Sequence, residues 1–143
     1  MTRSLTAPLI LIADDSRDTR EMYAHYLSIV GYRVDTAEDG REVAVKARVS
    51  RPDAILMDLN MPNVDGWGAM KDLQGNPQTA RIPVIVLTGH ELKDHLKRAA
   101  LAGGACAFLV KPCLPERLER ELAACISAQL DAGGRSRGTA TTE

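Results

Sequence analysis

Five positions in this chain have the chemistry to act together on one anionic group: the paired Asp14 and Asp15, then Asp58, Thr88 and Lys111. Three carboxylates drawn into one crevice repel each other, which raises the pKa of at least one or calls for a cation. An oxygen-only set without His or Cys suits a hard ion such as Mg²⁺, which keeps several waters and needs few carboxylates. Asp58 would then be both a ligand and an accessible nucleophile. Phosphoryl transfer asks the protein mainly to position groups and to neutralise charge on the equatorial oxygens. The metal would take one such oxygen, the Lys111 ammonium a second and the Thr88 hydroxyl a third.

For this to work, the chain must bring four separate segments to one place. Five short apolar runs, at residues 9–13, 32–36, 54–57, 82–87 and 105–110, punctuate the sequence. Most are continuously apolar, as expected of parallel strands covered on both faces. Helical signals lie between them. In residues 16–30, Ser16 is a candidate N-cap, Met22, Tyr26, Ile29 and Val30 follow helical spacing, and Gly31 terminates. Asp39 with Glu42 three positions on reads as a capping box, followed by Val43 and Ala47 on one face. A third helix is predicted at 66–74, stopping at Gly75-Asn76-Pro77, and a fourth at 91–102, ending at Gly103-Gly104. The fifth opens on Pro115 and stacks Leu118, Leu122, Cys125 and Ile126.

Strand and helix alternate five times, which predicts an α/β doubly wound parallel sheet with helices on both faces. Functional sites in such sheets lie beyond the carboxyl ends of the strands. Asp14-Asp15 closes the first run, Asp58 the third, Thr88 the fourth and Lys111 the fifth. The reactive set and the topology agree.

A length of 143 residues fits one domain, and 18 basic against 19 acidic residues leave a net charge of −1. No global field draws such a chain to nucleic acid or anionic lipid, which speaks against a free-standing DNA-binding protein. Cys106, Cys113 and Cys125 are odd in number and form no Cys-x-x-Cys pair. They are expected to be reduced, small apolar residues rather than a disulfide framework. The first eight residues lack the apolar stretch of a signal peptide, and no run reaches the roughly 20 apolar residues of a membrane helix. The expectation is a cytoplasmic protein: residues 1–8 an extension, 9–130 the domain, and 131–143, rich in Gly, Arg and Thr, a disordered tail.

These residues carry a resemblance. The acidic pair stands in Leu11-Ile-Ala-Asp-Asp15, and Asp58-Leu-Asn-Met-Pro-Asn-Val-Asp-Gly66 matches an Asp-x-x-Met-Pro-x-x-Asp-Gly signature. Leu87-Thr88-Gly89 and Phe108-Leu-Val-Lys-Pro112 follow. Any one of these motifs is weak, but four in order at predicted strand ends are specific. Together they resemble the receiver domain of bacterial two-component response regulators over roughly residues 9–130. The resemblance implies a flavodoxin-like strand order 2-1-3-4-5. It implies Mg²⁺, or Mn²⁺ in its place, bound by Asp14, Asp15, Asp58 and the backbone carbonyl of Asn60. It implies a phosphohistidine donor on a histidine kinase or histidine phosphotransfer protein, and a cis Lys111–Pro112 bond. Thr88 and Phe108 stand where the family has its switch pair, which reshapes the face of the fourth helix, fifth strand and fifth helix. That face would bind a downstream protein or a second copy of the chain, with no direct contact to nucleic acid or membrane. Such a protein is no enzyme beyond its own phosphorylation and dephosphorylation.

Single residues also have plainer readings. Asp14-Asp15 serves equally as an acidic turn before a helix N-terminus, and Phe108, the only phenylalanine, as core. His90, two residues past Thr88, is near enough to influence access to the site. Departures from the family pattern are also visible. Thr88 to Lys111 spans 23 positions (111 − 88), one more than expected of a compact receiver, and Gly103-Gly104 is the expected place for the extra residue. Cys113 stands where Phe is common, and Leu114 where an N-capping Asp is usual. The leading expectation is a single-domain response regulator. Its rivals are a receiver excised from a transcription factor or hybrid kinase, and an aspartyl-phosphate hydrolase of the haloacid dehalogenase type. The last needs Asp two residues after the nucleophile, where this chain has Asn60.

Overall fold

A computed structural model describes residues 7–89 and 94–142, with side-chain surroundings given for 7–89 and 95–131. The strands are β1 (Leu9–Ala13), β2 (Arg33–Ala37), β3 (Ala54–Met57), β4 (Val84–Thr88) and β5 (Ala105–Val110). Between and after them run α1 (Arg17–Ile29), α2 (Gly40–Ser50), α3 (Gly66–Gln74), α4 (Asp94–Ala102) and α5 (Pro115–Thr142). All strand pairs are parallel, in the order β2-β1-β3-β4-β5. This is the expected doubly wound sheet.

Continuous apolar runs arise because successive side chains serve opposite cores. Leu11, Ala13, Ile55, Met57, Val84 and Val86 pack against α2, α3 and α4 through Val43, Ala47, Ala69, Leu73 and Ala100. Ile10, Ile12, Leu56, Ile85 and Leu87 face the other way, toward Tyr23 and Leu27 of α1 and Leu118, Leu122 and Ile126 of α5. Register is therefore fixed on both sides, since a one-residue slip would move every side chain into the wrong layer.

The helix starts follow the sequence signals. Ser16 accepts the Thr19 amide at 3.3 Å, Asp39 the Glu42 amide at 2.9 Å, and Asp65 the Gly68 amide at 2.9 Å. The Glu42 carboxylate reaches back to the Glu38 amide at 2.7 Å rather than to that of Asp39. Gly31, at φ 109°, closes the α1 end. Leu114 precedes α5 with 72% of its surface exposed, and the Leu118 amide donates to its carbonyl. Its side chain has no acceptor to offer the first turn. Leu114→Asp is expected to stabilise the domain by about 1 kcal/mol in urea unfolding. An unchanged midpoint would show that the first turn of α5 gains nothing from a cap.

Two expectations need correction, and the sheet carries one irregularity besides. Val84 pairs with Ala105, yet Ile85 pairs with Ala107, so Cys106 is an unpaired bulge residue. The bulge lets Ala105 and Phe108, three apart, share the α2–α4 side, while Ala107 and Leu109 face α1 and α5. The cysteines are not all reduced, because Cys106 and Cys125 form a disulfide with Cα atoms 6.2 Å apart. Separated by 19 residues, they meet only through the packing of α5 on β5, which no local spacing rule detects. Cys113 is free and buried, as expected. Lastly, α5 continues to Thr142 rather than ending near Leu130. Ala and Arg there favour helix, which Gly133, Gly134 and Gly138 weaken without stopping it.

Candidate functional site

The carboxyl ends of β1, β3, β4 and β5 meet at one edge of the sheet, and the predicted residues meet with them. One carboxylate oxygen from each of Asp14, Asp15 and Asp58 lies within 4.8 Å of the others. Asp14 and Asp58 are buried and Asp15 is exposed. Lys111 reaches across from β5, its Nζ donating to Asp14 Oδ2 at 2.6 Å and to Asp58 Oδ2 at 3.3 Å. A cleft of about 580 Å³, lined by Asp15, Asp58, Asn60, Met61, Gly89 and Lys111, opens onto this cluster.

Each acid is held in place. The Asp58 amide donates to the Ala13 carbonyl, which locks the ends of β1 and β3 together. Asp58 Oδ1 accepts the Asn60 amide at 3.0 Å, and Asp14 Oδ1 accepts the Ser16 amide at 2.8 Å. Both are tight turns in which a short acid side chain caps the backbone two residues on. Burial raises the Asp58 pKa, and Asp14 pushes the same way; the Asn60 amide and Lys111 oppose this without cancelling it. For Lys111, burial would lower the pKa, but the hydrogen bond to Asp14 and the charges of Asp58 and Asp14 outweigh it, so the ammonium is held above its ordinary value. Among the described residues the crevice is therefore a cluster of three acids with the Lys111 ammonium inside it.

Its donors are all oxygens, which fits a hard divalent ion and not a thiolate or imidazole metal. Two contacts escape the sequence reading. Arg20, nearly buried on α1, donates from its guanidinium to the Asp14 carbonyl at 2.7 Å, fixing the acidic turn from behind. A basic residue six positions after an acid is too common for its spacing alone to reveal that role. The Tyr23 hydroxyl donates to the Cys113 carbonyl at 2.6 Å and ties the segment after Lys111 to α1.

Gly66 matters for closeness. A Cβ there would stand 2.3 Å from the Asp58 carbonyl oxygen and 2.6 Å from the Leu59 Cα, both backbone atoms that cannot swing away. Gly66→Ala is expected to cost about 2 kcal/mol in urea unfolding by pushing the loop after Asp58 off α3. A variant as stable as the parent would mean that the loop moves freely, and that its hold on Asp58 is loose.

Thr88 is fully buried at the end of β4, and its hydroxyl has no hydrogen-bond partner among the described residues. Phe108 is buried against the α2–α4 layer, opposite Val86. The Lys111–Pro112 peptide bond is cis, as the resemblance implied. His90 lies outside the described residues. Among them, no helix is long and apolar enough to cross a membrane.

Comparison with known proteins places this arrangement in context. The sequence model of the response regulator receiver domain matches residues 10–123. The transcriptional regulatory protein PrrA of Mycobacterium tuberculosis is 37% identical over 112 residues, which are 78% of this chain and 47% of that protein. Chemotaxis protein CheY4 of Vibrio cholerae superposes with a TM-score of 0.79 at 38% identity, over 84% of this chain and 99% of that one. The receiver domain of a sensor histidine kinase from Pseudomonas aeruginosa, solved with a magnesium ion coordinated in its active-site cleft, gives a TM-score of 0.77 at 31% identity. That match covers 85% of this chain and 99% of that one. The chain spans about half the length, or less, of the curated relatives it matches.

Proposed function

This chain belongs to the response regulator receiver family, a family of two-component signalling domains, and from that premise we propose that it takes a phosphoryl group onto Asp58. The observation that carries the reading is the single Lys111 ammonium lying between Asp14 and Asp58, beside Asp15 and at the mouth of an open cleft.

In this reading the donor is a phosphohistidine on a histidine kinase or histidine phosphotransfer protein. The Asp58 carboxylate attacks phosphorus, the P–N bond breaks, and the imidazole leaves with its electron pair. Asp14, Asp15 and Asp58, with the Asn60 carbonyl, would hold Mg²⁺ or Mn²⁺. The bound ion would supply charge neutralisation for the transferring oxygens. Lys111 is already aimed at Asp58 and would pair with a second oxygen. The Thr88 hydroxyl, buried without an acceptor, would find one in a third. Once Thr88 is drawn to the phosphoryl group, Phe108 has new space beside β4. Its movement would alter the face of α4, β5 and α5 that meets a downstream protein or a second copy of the chain. Residues 9–130 form the signalling unit in this reading, with residues 1–8 and 131–143 outside it, and its setting is cytoplasmic. The domain acts alone or inside a longer regulator, according to the length of its natural gene.

The test is direct. A small-molecule phosphodonor with Mg²⁺ should add one phosphoryl group, seen by intact-protein mass spectrometry. Chelation should prevent the addition, and hydroxylamine should remove the group, as it does an acyl phosphate. A hydroxylamine-resistant label would place the group on a hydroxyl and overturn Asp58 as acceptor.

A further inference from the structure

We propose that Cys106 and Cys125 form a reversible thiol–disulfide exchange site that fastens α5 to the bulge of β5. The inference stands on the cysteines alone and does not depend on phosphoryl chemistry at Asp58.

The two cysteines are placed very differently. Cys106 is the bulge residue, left out of the β4–β5 pairing and exposed to solvent. Cys125 is buried in the layer beneath α5, with Leu118, Leu122 and Ile126. An incoming thiolate can therefore approach the sulfur of Cys106 but not that of Cys125. Exchange would begin by its attack on the Cys106 sulfur, forming a mixed disulfide and releasing Cys125 as the thiolate. A second external thiolate then attacks the outer sulfur of the mixed disulfide and frees Cys106. In sum, two external thiols are oxidised to one disulfide while the protein disulfide is reduced to two thiols, and oxidation runs the same path backwards. The third cysteine, Cys113, is buried, and its thiol pKa is pushed up by that burial, so it stays out of the exchange.

The consequence follows from position. The closed loop contains Phe108 and Lys111, and it joins the β5 bulge to the third turn of α5. A bulge is where a strand can change its pairing most cheaply. With the disulfide closed, α5 cannot slide over β5 and the bulge is held. With it open, only the apolar packing of α5 holds this corner. The exchange therefore sets the stiffness of the surface formed by β5 and α5.

The full chain should be equilibrated anaerobically in mixtures of reduced and oxidised glutathione, quenched in acid, denatured and alkylated with a maleimide mass tag. Of three cysteines, two are in the disulfide, so one tag is expected at the oxidising end and three at the reducing end. Cys125→Ala should carry one glutathione on Cys106, because the resolving thiol is gone. Closing the loop should raise the melting temperature by roughly 10 °C, and this difference should vanish in Cys106→Ser. Cys113→Ser should retain it. Three tags at every ratio would overturn the site by showing that the bond does not form. One tag at every ratio would overturn its reversibility, and a pairing that includes Cys113 would overturn the assignment of partners.

Discussion

Asp58→Asn should lose all phosphoryl uptake and, without metal, melt at a higher temperature than the parent at neutral pH. The first half follows from chemistry, because an amide oxygen is too weak a nucleophile to take phosphorus from a donor. The second half follows from burial. Asp58 is buried, and burial followed by the charge of Asp14 raises its pKa. A carboxyl whose folded pKa lies above its unfolded value contributes stability below the unfolded value, and loses it as pH climbs through the folded one. At neutral pH the ionised group therefore opposes folding, and a neutral amide of the same shape removes that opposition. The Asn60 amide can still donate to the side-chain oxygen of the substituted residue, and Lys111 keeps Asp14 at 2.6 Å. The gain in melting temperature should shrink as pH is lowered into the carboxylate range, where the parent's Asp58 is neutral too. Added Mg²⁺ should reverse the order, because in the proposed site the parent would hold it with three acids and the variant with two. Two measurements decide the matter: mass spectrometry after phosphodonor treatment, and paired thermal melts across pH with and without Mg²⁺. A variant that still labels would remove Asp58 from the chemistry. One that melts lower at neutral pH would show that Lys111 more than offsets the burial of the acid.

Much of this was legible in the sequence because both signals involved are local. Three of the five strands, β1, β3 and β5, have the expected bounds, Ser16 and Asp39 cap their helices as capping chemistry requires, and α3 spans the expected residues 66–74. The strand order was legible only through the family resemblance, since short connections alone do not choose which strand lies next to which. The errors have a common origin. Ile82 and Pro83 extend the fourth apolar run, but proline has no amide for the ladder, and β4 begins at Val84. Pro83 instead accepts from the Ile55 amide at the entry to the strand. The bulge at Cys106 and its disulfide depend on how β5 meets β4 on one side and α5 on another. No run of residues in β5 alone displays that. The Arg20 contact to the Asp14 backbone has the same character, because it depends on the angle at which α1 leaves the turn. The acid cluster could be read because every member ends a strand. Its supports could not, because they arrive from helices at angles the sequence does not encode in any short pattern.

Lys111→Met should destabilise the metal-free domain by roughly 3 kcal/mol, and at the same time tighten Mg²⁺ binding. Lys111 Nζ is the group that touches both Asp14 and Asp58, and both acids are buried. Removing it leaves two buried carboxylates facing each other without the cation between them, and methionine keeps much of the volume. The loss falls at the lower end for a broken buried pair, since the lysine side chain retains 21% exposure and water can enter. The same negative field that destabilises the variant would attract a divalent ion more strongly, so the midpoint of a Mg²⁺ titration should move to lower concentration. Trp67, the only tryptophan, sits half-buried beside Gly66 against the α2–α4 core and offers an intrinsic fluorescence probe of the loop after Asp58. Urea unfolding with and without Mg²⁺ should then show a variant that is weaker than the parent when metal-free and recovers most of the difference when saturated. In the proposed reaction the variant should still label, but more slowly, because the phosphoryl oxygen that Lys111 would meet has lost its partner. Weaker Mg²⁺ binding in the variant would contradict this account. It would mean that Lys111 orients the acids for the ion, and that its charge is not what competes with one.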